Sequence, residues 1–184
     1  LAYTAHDLDD GLRSGMISAP MLEGIDLWEI LVKSVGWRGP VLDDLARHRL
    51  VRNLIDMEVT DLVHATDLRL RESGVRAVEE LQRLPFNVIG YGEEMHRRNR
   101  QLKDFLYANL YRHYRVVRMA VKAERIVSEL FRAYVSEPAI LPGHVQSNIS
   151  ARGVERTVCD YIAGMTDRFA VEEYQKLFDP NMRP

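Results

Sequence analysis

Apolar residues recur along most of this chain at the three- to four-residue spacing of an α-helix. Val51, Leu54, Ile55, Val59, Leu62 and Val63 fall on one such stripe. Gly39-Pro40 suits its start, because proline fits a first helical position, and Gly74 is placed to end it. The pattern therefore predicts a helix of about 30 residues. A second long pattern follows Gly92, where Val116, Met119, Ala120, Ala123, Val127, Leu130, Phe131 and Tyr134 share a face. Glu137-Pro138 closes it, since the residue before proline avoids the α region. Shorter helices are predicted from the start of the chain to Arg13 and at Asp26–Val35, Val75–Leu84, Val154–Thr166 and Ala170–Leu177. Residues 85–92 read as a break and 139–150 as a connection containing Pro and Gly. No segment alternates with period two between hairpin turns, and no repeat or linker stands out. The expected fold is all-α, a single helical domain over 1–184 with two long helices. Stripes of this kind suit an internal core and equally suit helix contacts between subunits.

Composition narrows the class. The 184 residues are 46% hydrophobic and 28% charged, an ordinary globular balance with enough chain to bury a core. The one cysteine, Cys159, excludes an internal disulfide framework and fits a reducing compartment, so a cytoplasmic location is expected. No apolar run approaches the roughly 18 residues of a membrane span, and no membrane partner is expected. No secretory signal pattern opens the chain, so the sequon at Asn148-Ile149-Ser150 reads as chance.

The net charge of −2 conceals an asymmetry. Between Met95 and Arg125 nine Lys/Arg stand against two acids, leaving 16 basic against 25 acidic residues elsewhere. Such segregation suits a site for anions within an acidic body.

Two constellations carry candidate chemistry. Tyr3 and Asp7 are four apart, hence one turn from each other on a helix face. His6-Asp7 invites a metal reading; the bland reading of this pair is an exposed helix end among Asp9 and Asp10. A hydrolytic metal site needs three or more convergent ligands and an open position. His48, His64, His96, His113 and His144 offer no short ligand spacing, and His64-x2-Asp67 is the nearest approach. Composition alone assigns no residue of the chain to a metal.

The second constellation lies between Arg97 and Arg115. Lys103, Tyr107 and Tyr111 are spaced i, i+4, i+8. A cation followed by aromatic rings suits a phosphate followed by a sugar or base. Phe105, Leu106, Tyr107 and Leu110 equally suit a core. Arg112, Arg115, Arg118, Lys122 and Arg125 extend the positive charge, either as a solvated helix face or as a polyanion surface.

Three stretches together carry a resemblance. The first is Leu1-Ala2-Tyr3-Thr4-Ala5-His6-Asp7-Leu8-Asp9-Asp10-Gly11-Leu12-Arg13. The second is Leu102, Lys103, Phe105, Leu106, Leu110, Tyr111 and His113. The third is Asp160-Tyr161-Ile162-Ala163-Gly164-Met165-Thr166-Asp167-Arg168-Phe169-Ala170. They resemble the C-terminal half of the bacterial deoxyguanosine triphosphate triphosphohydrolase-like proteins of the HD superfamily. The resemblance implies a helical HD-type fold. It also implies a parent enzyme that hydrolyses a deoxynucleoside triphosphate to deoxynucleoside and triphosphate with a divalent ion, Mn or Mg. In that family the distal metal-binding Asp stands one turn before the tyrosine of the Tyr-x3-Asp motif, which places it upstream of Leu1. His6-Asp7 is then not the dyad that names the superfamily. The other metal ligands and the catalytic His/Glu pair are also expected upstream.

By the same register Tyr3 and Asp7 contact the deoxyribose, Asp7 accepting from the 3′-hydroxyl. Lys103 contacts the triphosphate, and Tyr111 and His113 lie near the nucleoside. Starting inside a motif without an initiator Met, the chain reads as a C-terminal fragment. It would hold substrate, present oligomer surfaces in a homo-oligomer, contain no catalytic or metal residue and be inactive alone. The rival expectation is a non-catalytic helical module binding a nucleotide effector or single-stranded nucleic acid through the 95–125 basic face. A helical assembly domain with no anion partner is a third. Gly164 would permit close helix approach, and Thr166 or Asp167 would cap the helix that follows.

Overall fold

The computed structural model describes residues 2–39 and 41–182. Among the described residues there is no strand. By compactness the chain divides into two units, Leu1–His113 and Tyr114–Pro184.

The first unit holds α1 (Ala2–Arg13), α2 (Asp26–Val35), α3 (Asp44–Ser73), α4 (Val78–Leu81) and α5 (Glu93–Leu106). The long helix α3 has the expected 30 residues. Its start is set by a cap: the Asp43 side chain accepts from the Ala46 N–H at 2.7 Å, satisfying one of the donors a helix leaves free. Pro40, the expected start, lies outside the described residues. Gly74 ends α3 at φ +69°, a left-handed conformation glycine adopts without strain, and its N–H bonds Arg71 O. Beyond it Ala77 is extended and the Arg76 N–H is taken by Glu80 Oε2 at 2.9 Å, so the predicted Val75–Leu84 helix shrinks to α4.

Ala5 and Leu8 of α1, Leu27, Trp28 and Leu31 of α2, Leu50, Val51 and Leu54 of α3, and Leu102 and Leu106 of α5 form this unit's core. Only the first half of the α3 stripe takes part. Val59 and Val63 continue it in sequence yet are 43% and 61% exposed. Arg47 of α3, itself buried, pairs with Asp9 of α1 and with Asp44 at 3.1 Å, and so ties the first helix to the third. The break at 85–92 is tied to α3 as well. Arg69 donates to Gly90 O at 2.5 Å and to Tyr91 O, while Asp61 Oδ2 accepts from the Gly92 N–H at 2.8 Å.

The second long stripe, Val116 to Tyr134, lies on one helix spanning Tyr114–Ser136, which does not run back to Gly92. After α5 the backbone widens into a π-turn over Tyr107–Tyr111, with the Arg112 N–H reaching back five residues to Tyr107 O at 3.1 Å. Asn109 Nδ2 donates to Phe105 O at 2.9 Å. Such bulges insert a residue into the helical ladder and shift the faces that follow.

The second unit begins with α6 (Tyr114–Ser136) and continues through α7 (Gly143–Gln146), α8 (Ile149–Arg152), α9 (Val154–Ala163) and α10 (Asp167–Phe178). Ile126, Leu130 and Tyr134 of α6 pack with Leu141, Val145 and Val158. Tyr134 sits edge-on to Tyr161 at 5.6 Å and donates to Glu173 Oε2 at 3.0 Å. Thr166 caps α10, accepting from the Phe169 N–H at 3.2 Å, as its position predicts. Gly164 has another role from that expected. A Cβ there would make only ordinary 3.5 Å contacts with Asp160 O and Tyr161 O of its own helix, so no neighbouring helix requires a glycine.

Candidate functional site

Four of the five candidate binding residues converge. Tyr3 and Asp7 of α1, Lys103 of α5 and Tyr111 of the π-turn line one cavity of about 690 Å³, together with Thr4, Arg100, Asp104, Leu106 and Tyr107. The α-helical period explains the arrangement. On α1, Ala5 and Leu8 face the core while Tyr3 and Asp7 are turned toward the cavity. On α5, Leu102 and Leu106 are buried and the intervening Lys103 is exposed beside them.

Tyr111 Oη donates to Asp7 Oδ2 at 2.5 Å, joining residues 104 positions apart in the chain. This bond raises the Tyr111 phenol above its ordinary value, because the neighbouring carboxylate favours the protonated hydroxyl. The Tyr107 and Tyr111 rings stack at 6.4 Å with 28° between planes, and the Arg112 guanidinium lies 5.4 Å from the Tyr107 ring centre. The Tyr3 ring is 85% exposed and presents an open face. The cavity lining thus combines aromatic rings, carboxylates and the cations Arg100 and Lys103.

Sequence reasoning overlooked three of the lining residues. Thr4 carries no motif, and Arg100 and Asp104 read as an i, i+4 surface pair, which they also form at 3.1 Å. Tyr107 stood open between core and site. Leu106 and Leu110 are buried and Phe105 is half-buried, whereas Tyr107 is 56% exposed at the cavity. His113, the fifth candidate, does not line it; its backbone N–H bonds Leu110 O at 3.0 Å as the π-turn ends. His6 is exposed beside Asp7, and His64 and Asp67 are exposed on α3. No three His, Cys, Asp or Glu among the described residues are grouped to hold a metal ion. The residues present do not fit a metal site, so no catalytic step is assigned to one.

The basic stretch is narrower in space than in sequence. Arg97 pairs with Asp26 at 2.8 Å and Glu94 at 2.9 Å, Arg98 with Glu94 at 2.7 Å and Arg125 with Glu129 at 2.8 Å. Arg115, Arg118 and Lys122 of α6, with Met119, line a separate cavity of about 460 Å³. No helix among the described residues is long and apolar enough to cross a membrane.

Residues 89–176, from the segment entering α5 to the last helix, match the phosphohydrolase-associated domain. Over all 184 residues the chain is 44% identical to a deoxyguanosinetriphosphate triphosphohydrolase-like protein of Geobacter sulfurreducens, covering 100% of this chain and 48% of the relative. The protein of the same name from Geobacter metallireducens is 41% identical with the same coverage. That of Deinococcus deserti is 40% identical over 98% of this chain and 47% of the relative. The chain spans about half the length of the curated relatives it matches, and it corresponds to their C-terminal portion. The matched stretch includes Lys103, Tyr107 and Tyr111, while Tyr3 and Asp7 precede it.

Proposed function

We propose that this chain forms one wall of the substrate pocket in a deoxynucleoside triphosphate triphosphohydrolase. In that reaction water adds to the α-phosphorus, the bond to the 5′ oxygen breaks, and deoxynucleoside and triphosphate leave. A divalent ion, Mn or Mg, held by residues outside this chain, would supply the activated water and neutralise phosphate charge. The observation that carries the reading is the convergence of Tyr3, Asp7, Lys103 and Tyr111 on one cavity.

Each residue then has a physical task. Lys103, with Arg100 beside it, meets the phosphates through charge-assisted bonds. Asp7, oriented by Tyr111, accepts from the 3′-hydroxyl, and Tyr3 lies against the sugar. Loss of a hydrogen bond to a charged acceptor is worth about 1.5–3 kcal/mol, or roughly 10- to 150-fold in affinity. His113, which is not among the residues lining the cavity, keeps the place near the nucleoside that the family register implies. The homo-oligomer and the cytoplasmic location expected from the sequence belong to the same proposal.

The decisive assay is chromatographic detection of deoxynucleoside and triphosphate from dGTP with Mn²⁺. It compares this chain with a version extended upstream to the length of the relatives. Products from the extended protein alone support the assignment, and Lys103→Ala in that protein should depress turnover. Silence of both forms overturns it, and turnover by this chain alone would refute its role as a binding wall without catalytic groups.

The cavity of Arg115, Arg118 and Lys122 favours a second reading, a polyanion site for a nucleotide effector or a single-stranded nucleic acid. That site predicts binding that weakens steeply with salt and survives Asp7→Ala. Affinity that depends on Asp7 and on the 3′-hydroxyl supports the pocket instead.

A further inference from the structure

Behind the cavity lies a buried polar cluster that the proposed reaction does not use. Glu58 of α3 is 0% exposed and Asn99 of α5 is 3% exposed. Asn99 stands one helical turn before Lys103 on the same face. Its Nδ2 donates to Glu58 Oε1. Glu58 Oε2 and Asn99 Oδ1, the two remaining oxygens of this pair, are buried with no geometrically formed partner among the described residues, and the buried Tyr91 hydroxyl stands beside the Glu58 carboxyl.

Counting donors decides the protonation state. An ionised Glu58 leaves two buried acceptors, Oε2 and Oδ1, and the Tyr91 O–H can satisfy only one of them. Arg98 also carries a buried Nε, but its guanidinium is turned to Glu94, one turn back along α5. A proton on Oε2 supplies the missing donor, and it completes a two-point ring with the Asn99 amide. A buried acceptor left unmade, or a buried uncompensated charge, is expensive, whereas the neutral ring leaves neither. We propose that Glu58 is a neutral carboxylic acid in the folded chain, its Oε2–H donating to Asn99 Oδ1 while Asn99 Nδ2 donates to Oε1. The pair is a proton-dependent lock between α3 and α5 beneath the Lys103 cavity.

The surroundings agree. Burial raises the Glu58 carboxyl above its ordinary value of 4.5. The Asn99 amide, Lys103 and Tyr91 favour the ionised form and are outweighed. Tyr91 is pushed up to about 12 chiefly by its own burial, with the Asp61 carboxylate adding to the effect. A second buried ionisation therefore does not compete near neutral pH.

The sign of the pH effect follows. A carboxyl whose folded value is raised binds its proton more tightly folded than unfolded. Its contribution is complete below 4.5 and is lost as pH rises toward the folded value. Glu58→Gln replaces the proton by a permanent N–H and keeps both hydrogen bonds, so it should not share that loss. Both tryptophans, Trp28 and Trp37, lie in the same unit as Glu58, so intrinsic fluorescence reports the relevant melting. With the 184-residue chain, we expect the melting temperature of the native protein to fall below that of the Glu58→Gln variant by roughly 4 °C per pH unit above 4.5, up to the folded value.

Infrared spectroscopy supplies a readout independent of stability. A protonated-carboxyl C=O band should be present near neutral pH and absent from the Glu58→Gln variant. Parallel melting profiles, or no such band, would overturn the proposal. So would dependence of stability on exchange of sodium for a bulky organic cation at constant ionic strength, which would place a bound cation where we place the proton.

Discussion

The tie between α1 and α3 sets where Tyr3 and Asp7 stand, and it can be cut from either end with unequal results. The Arg47 side chain is 8% exposed, Asp9 22% and Asp44 88%. Removing Asp9 leaves a buried guanidinium facing a solvent-screened partner. Breaking a fully buried ion pair costs about 3–5 kcal/mol, and an exposed pair about 0–1 kcal/mol. The intermediate exposure of Asp9 places Asp9→Ala near ~2 kcal/mol, a fall in melting temperature of roughly 4–8 °C for this chain. Arg47→Met removes the charge together with its need for partners and keeps the buried volume, so it should cost less than about 1 kcal/mol. Thermal melts of both variants followed by tryptophan fluorescence would read the difference. The ordering is the test: an Arg47→Met variant less stable than Asp9→Ala would refute the view that an orphaned buried charge is the dominant cost. An Asp9→Ala variant of native stability would show that Asp44 alone suffices.

Four further outcomes follow from the same geometry. Gly11→Ala places a Cβ 2.6 Å from Cδ1 of the buried Ile17, so it should destabilise by about 1 kcal/mol despite alanine's better helix propensity. Adding Ile17→Val deletes the offending atom and should recover much of that loss in a denaturant melt. Asp7→Asn removes the charged acceptor from Tyr111, so ultraviolet titration should show Tyr111 ionising at lower pH than in the native chain. In the second unit, Tyr174 and Arg125 hold the Glu129 carboxyl below its ordinary value. The stability this gives is present above that value and is lost as pH falls through the carboxylate range. Glu129→Gln should therefore flatten the acid limb of the helix-melting profile read by circular dichroism. Leu130→Ala empties a fully buried position beside Tyr134 and should cost about 2–5 kcal/mol in the same assay.

How far such a chain can be read from its letters depends on which physical rule acts locally. The end of α3 was legible because Gly74 must do there what other residues do with strain. Its start was not, because the Asp43 cap is a single side-chain bond that competes with several plausible starts nearby. Periodicity showed which residues share a helix face but not how much of that face finds a partner. The α3 stripe runs past Leu54 into Val59 and Val63, which remain exposed within this chain. The π-turn at Tyr107–Tyr111 was invisible for a related reason: apolar spacing on its two sides is helical, and the inserted residue shows only in the backbone bond from Arg112 to Tyr107. That same insertion bears on the site. It divides the helical stretch that follows Gly92, stacking Tyr107 on Tyr111 and turning the Tyr111 hydroxyl onto Asp7. Composition could nominate Tyr3, Asp7, Lys103 and Tyr111 one helix at a time. Bringing the two groups together required tertiary packing between α1 and α5, through Ala5 and Leu8 against Leu102 and Leu106 in the shared core.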